Sequence, residues 1–123
     1  MTIPELYAEI GGNYDKALKV MRKEKLIDRY VRKLQNSHLD EMLAAAGDAM
    51  DASQLFESAH AMKGVCANLG LDHLADAADV ITEEFRAGND RKMSDEEVKK
   101  VLGEIDEMYK KVIAGIEKYE SSN

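Results

Sequence analysis

Pro4 is the only proline in the chain, so beyond the first few residues nothing in the sequence forces a helix to break. The residues that fill the rest favour helices: Glu, Lys, Ala, Leu and Met dominate. No run alternates apolar and polar β-branched residues as a half-buried strand would. A chain of 123 residues is long enough for one domain with one modest core. At 45% apolar and 33% charged residues, its composition is that of a folded globular chain rather than a disordered tail. The expectation is an all-α protein.

Helical spacing divides the chain. Ile3, Leu6, Tyr7 and Ile10 recur at the helical period, and Gly11-Gly12 stops them. Asn13 can cap a helix carrying Tyr14, Leu18 and Met21. The charged stretch Arg22 to Lys25 reads equally as a continuation or a bend. Leu26, Ile27, Tyr30, Val31 and Leu34 form the next apolar stripe, with a turn at Gln35-Asn36. Ser37 is expected to cap a helix through Leu39, Met42, Leu43 and Ala46, closed by Gly47-Asp48. Asp51 or Ser53 starts a helix reaching about Asn68, and Gly70 stands where a left-handed stop is favoured. Asp72 is expected to cap a helix carrying Leu74, Ala78, Ile81 and Phe85, ended by Gly88-Asn89. Ser94 and Glu97 make a capping box for a last helix with Val98, Val101, Ile105, Val112, Ile116 and Tyr119 on its stripe. Short turns favour antiparallel neighbours. The last four helices are therefore expected to form an antiparallel up-down four-helix bundle, with additional helices at the N-terminal end.

Charge and cysteine content narrow the function. A formal charge of −7 argues against a nucleic acid partner, which needs a basic face. The single cysteine, Cys66, allows no internal disulfide and no multi-cysteine zinc site. With no charged-then-apolar leader and no bilayer-spanning apolar stretch, a cytoplasmic protein without a membrane partner is expected.

The segment from Asp51 to Asn68 carries the informative chemistry. On a wheel of about 100° per residue, Leu55, Ala59, Met62, Cys66 and Leu69 fall within about 40° of one direction, the core stripe. His60 lies about 140° from its centre and points to solvent. Gly64 is one turn further along the same side, although a mid-helix glycine costs about 1 kcal/mol relative to alanine. Close helix packing would explain such a glycine, but the wheel sets it opposite the core. The remaining explanation is clearance for a bulky group on the imidazole and for an approaching surface. Lys63, three residues from His60, places an ammonium on the same flank. It is either a plain solvated charge or a donor of charge-assisted hydrogen bonds to an anion on the histidine. A neutral imidazole is a nucleophile near physiological pH. Exposure, room and a positive neighbour are what a phosphoryl carrier needs, and it needs no substrate cleft.

Other candidates have simpler readings. His38 and His73 sit at helix starts without companions at ligand spacing, so no metal site is expected. Cys66 lies on the core stripe, where thiols are inert. The clusters Glu83-Glu84 and Asp95 to Glu97 read as solvated faces or helix-start charges. Phe56, about 100° from the core centre, either packs at the bundle margin or supplies the apolar part of a docking patch.

The segment Ala59-His60-Ala61-Met62-Lys63-Gly64-Val65-Cys66-Ala67-Asn68-Leu69-Gly70 resembles the signature of the histidine-containing phosphotransfer (HPt) domain. That signature runs histidine, any residue, an aliphatic residue, lysine, glycine, two small or apolar positions and a Leu-Gly end. Met62 stands for the commoner leucine and Cys66 for a small residue, both tolerable in volume. The resemblance implies a bundle over residues 25–120 and an N-terminal helical extension over residues 1–24, packed on it. It further implies that His60 accepts the phosphoryl group on Nε2. Lys63 would stabilise that group and Gly64 would keep the face open, with Phe56 and Ala67 as candidate receiver-docking residues. The implied partners are response-regulator receiver domains and a hybrid or cognate histidine kinase. The protein itself would need no cofactor, the magnesium coming with the receiver, and an exposed carrier site needs no dimer. Two alternatives fit a helical bundle: an adaptor that is not phosphorylated, and the dimerisation fragment of a histidine kinase. The second requires an ATP-binding domain, and these 123 residues contain no glycine-rich phosphate loop.

Overall fold

The computed structural model describes residues 1–122, which form seven helices. They are α1 (Ile3–Ile10), α2 (Tyr14–Met21), α3 (Glu24–Gln35), α4 (Leu39–Ala49), α5 (Ala52–Asn68), α6 (Asp72–Glu84) and α7 (Asp95–Ser121). The last four make the bundle: α5 packs between α4 and α6, and α7 closes the ring against both. Of the first three, α1 lies on α7 and α3, α2 on α3 and α5, and α3 on α7. The all-α bundle with added N-terminal helices is the architecture that the apolar spacing implied.

Local chemistry accounts for the starts of the long helices. The Asp51 side chain accepts from Gln54 N at 3.1 Å, so the cap of α5 is Asp51 and not Ser53. In the capping box of α7, Glu97 N donates to Ser94 Oγ and Ser94 N to Glu97 Oε1, both at 3.1 Å. The same device, Thr2 with Glu5, opens α1. The charged stretch breaks at Arg22-Lys23, with Arg22 left-handed (φ 70°), and Glu24 and Lys25 already open α3.

Several expectations need correction. Ser37 does not cap α4: its hydroxyl donates back to the Leu34 carbonyl at 2.7 Å and closes α3. The residue at the cap is His38, left-handed and without a side-chain capping hydrogen bond. Gly47-Asp48 does not end α4, which runs to Ala49; Gly47 is buried because α7 comes close there, and a Cβ would meet Leu102. Asp72 is the first residue of α6 rather than its cap, and it pairs instead with Lys16 at 2.7 Å. Helix α6 stops at Glu84, ahead of Gly88. Met42 and Tyr30, assigned to core stripes by spacing, are exposed. Glu84 is not solvated. It is buried and accepts from Lys92 N, Met93 N and Arg91 Nε at 2.8–3.1 Å, which fastens the connection into α7.

The core runs through the bundle. Leu55, Ala59, Met62 and Cys66 of α5 are fully buried and Leu69 nearly so, as the wheel required. They meet Leu74, Ala78 and Ile81 of α6 and Val98, Ile105, Tyr109 and Ile116 of α7 in one cluster. Burial pushes the Cys66 thiol up to about 12, so it stays protonated and unreactive at neutral pH.

The end of the α5–α6 hairpin is held by the N-terminal helices. Gly70 is left-handed (φ 70°), and a Cβ there would collide with the Asn13 carbonyl oxygen. Asn13 N donates to the Gly70 carbonyl at 2.8 Å, and Leu71 N to that of Cys66 at 2.9 Å. The buried Tyr7 hydroxyl donates to the Leu69 carbonyl at 2.7 Å.

Candidate functional site

The site lies along the outward edge of α5 and α6. Two contacts mark the antiparallel register of these helices: Lys63 meets Asp79 of α6, and Phe56 meets Arg86 just past its end. His60, between Phe56 and Lys63 on α5, therefore sits level with the stretch of α6 between those two partners. It is exposed, on the side of α5 away from the buried stripe.

The imidazole is exposed but oriented. Phe56, one turn earlier, stacks on it with ring centroids 5.5 Å apart and planes inclined by 8°. Phe56 is half-buried and packs against the core, so the stack ties the His60 ring to the rigid part of the bundle. Arg86 lies over the Phe56 ring, its Cζ 5.2 Å from the centroid, while its Nε donates to Glu83 Oε2 at 2.6 Å. A cation thus stands at one end of the histidine's surroundings.

A second cation stands at the other end. Lys63 Nζ lies 2.6 Å from Asp79 Oδ1, so the ammonium is an ion pair in the unphosphorylated protein. Gly64 is exposed, and a Cβ added to it would meet nothing within 4 Å. The chain's own packing does not require this glycine. Ala67, one turn beyond Lys63 on the same edge, is half-buried; Val65 is exposed but lies about 140° around α5 from His60. The hollows elsewhere on the surface, such as the one between α4 and α7 lined by Leu43, Gly47 and Leu102, do not include His60.

The structure brings Phe56, His60, Lys63, Gly64 and Ala67 onto one helix edge. His38 and His73 are exposed and apart from it; His38 Nδ1 is 3.4 Å from Glu41 Oε1. Among the described residues no group of three His, Cys, Asp or Glu could hold a metal ion, and no helix is long and apolar enough to cross a membrane. Sequence reasoning missed Asp79 and Arg86. Helical spacing places a residue on a face of its own helix, but the register between two helices decides which partner it meets.

The edge of the bundle thus presents an exposed histidine stacked on Phe56, with Lys63 and an unpacked Gly64 on the same side of α5. The family model of the Hpt domain matches residues 27–115, and the chain belongs to that family. Histidine phosphotransfer is the general role of the family: its members carry phosphoryl groups without a kinase activity of their own, and they interact with response-regulator receiver domains and histidine kinases. Neither the curated proteins nor the solved structures offered a match to this chain.

Proposed function

We propose that His60 Nε2 is the atom that takes up and gives away the phosphoryl group, passing it between receiver-domain aspartates in a two-component phosphorelay. The observation that carries this reading is the placement of His60: exposed, stacked on Phe56, and beside a glycine that the fold does not need. Phe56 fixes the ring so that the Nε2 lone pair is presented rather than averaged over rotamers. Lys63 supplies charge-assisted hydrogen bonds to the phosphoryl oxygens. Gly64, with Phe56 and Ala67, leaves a low-relief surface on which a receiver can seat its acidic, magnesium-bearing pocket over the imidazole.

On this reading residues 25–120 are the phosphotransfer unit, and residues 1–24 are an extension that braces the far end of the α5–α6 hairpin. The protein works as a cytoplasmic monomer whose phosphoryl group originates from a hybrid or cognate histidine kinase.

The test is a transfer assay. With ATP and Mg²⁺ alone the protein should acquire no label; with phosphorylated receiver domains it should acquire acid-labile label, and His60→Gln should acquire none. Labelling by ATP alone would indicate kinase chemistry instead. No label from any of several receivers would indicate an adaptor.

A further inference from the structure

The ammonium expected to stabilise a phosphoryl group on His60 already has a partner. Lys63 Nζ and Asp79 Oδ1 are 2.6 Å apart, with side chains 37% and 42% exposed. Glu83, one turn further along α6, is held by Arg86 at 2.6 Å, so Asp79 is the carboxylate that meets Lys63. We infer, on the reading that His60 carries the phosphoryl group, that Asp79 is a positioning residue: it competes with that group for Lys63 and so keeps phosphohistidine ready to release it.

A lone ammonium beside His60 would favour the phosphorylated state by the whole of its attraction for a dianion. Paired with Asp79, its charge is offset before the phosphoryl group arrives, and loading requires Lys63 to exchange one anion for another. The flexible four-carbon stem of lysine allows the exchange. The pair is only partly buried, so it is weak enough to open.

The step balances without any further reactant. In loading, the Nε2 lone pair of neutral His60 forms the N–P bond as the O–P bond of the donor's aspartyl phosphate breaks, its electron pair remaining on the carboxylate oxygen. The proton on Nδ1 stays in place, and Lys63 moves from Asp79 to the phosphoryl oxygens. In unloading, the N–P bond breaks, its electron pair returns to Nε2, and Lys63 returns to Asp79. Asp79 thus offsets part of what the phosphoryl group loses on leaving Lys63.

The experiment uses the full-length protein and a mixture of N-phosphoimidazole and imidazole as the probe. One N–P bond is exchanged for another, so the fraction of phospho-His60 at equilibrium reads how well the site holds the group. Asp79→Asn should raise the equilibrium constant for loading by about three- to fivefold, the range open to a partly exposed ion pair. Asp79→Glu should restore the wild-type value, and in a Lys63→Ala background Asp79→Asn should have no effect. Circular dichroism should show all variants folded. An unchanged constant in Asp79→Asn would overturn the inference. So would a decrease, which would mean that Asp79 holds Lys63 in place for the phosphoryl group. An equal increase without Lys63 would overturn it too, because Asp79 would then repel the group directly. If Asp79→Asn is labelled like the wild type, only this inference falls; if the wild type takes no label at His60, the carrier reading falls with it.

Discussion

Gly64 and Gly70 lie six residues apart, and they are there for opposite reasons. At Gly70 the surroundings demand glycine: the backbone is left-handed, and a Cβ would strike the Asn13 carbonyl. At Gly64 the surroundings demand nothing, since a Cβ would meet open space. Around Gly70 the turn is clamped by Asn13, Tyr7 and the Cys66 carbonyl. Around Gly64 lie an exposed histidine and an ion pair that can open. One end of the hairpin is finished by its own chain; the other edge is the surface proposed above to receive a partner.

Substitutions at the two places should therefore diverge. Gly70→Ala should have the largest effect on stability, a loss of at least about 2 kcal/mol from left-handed strain and overpacking, read by chemical denaturation. Tyr7→Phe removes a buried hydrogen bond to the Leu69 carbonyl and should cost about 1–2 kcal/mol, while labelling of His60 in the still-folded protein is unchanged. Gly64→Ala should move the other way and stabilise the fold by about 0.5–1 kcal/mol. Gly64→Gln should leave the fold intact and slow transfer from a phosphorylated receiver. Undiminished transfer in Gly64→Gln would erase the contrast between the two glycines.

The smallest expected effect is on acid stability, and it belongs to the frame. Burial acts to raise the Asp28 carboxyl, but bonds from Tyr119 Oη (2.6 Å) and Arg32 Nε (3.0 Å) outweigh it and hold the carboxyl below its ordinary value. A depressed folded-state value means that this stabilisation is complete above the unfolded value and is lost as pH falls through the folded one. Asp28→Asn should accordingly flatten the decline in melting temperature below about pH 4, with no change at the His60 edge.

The same contrast explains what could be read from residues alone. The buried stripe of α5, the capping box at Ser94 and the left-handed Gly70 were legible because each depends on neighbours within one helix or turn. His60 and Gly64 were legible as a pair off that stripe. Asp79 and Arg86 were not, because they reach Lys63 and Phe56 across a helix interface whose register no periodicity in α5 specifies. Glu84 was misread as solvated because its partners, the amides of Lys92 and Met93, lie in a connection with no regular spacing. Ser37 was misread because a serine between two helices can bond backward as readily as forward, and here the Leu34 carbonyl takes its hydroxyl.

The central claim is that one atom, His60 Nε2, carries the phosphoryl group. Long-range ¹H–¹⁵N correlation spectra of the imidazoles, recorded before and after loading from a phosphorylated receiver, test it most directly. The His60 Nε2 signal alone should acquire the shift and phosphorus coupling of an N–P bond, with His38 and His73 unchanged. A bond at Nδ1, at another histidine, or at no histidine would contradict it.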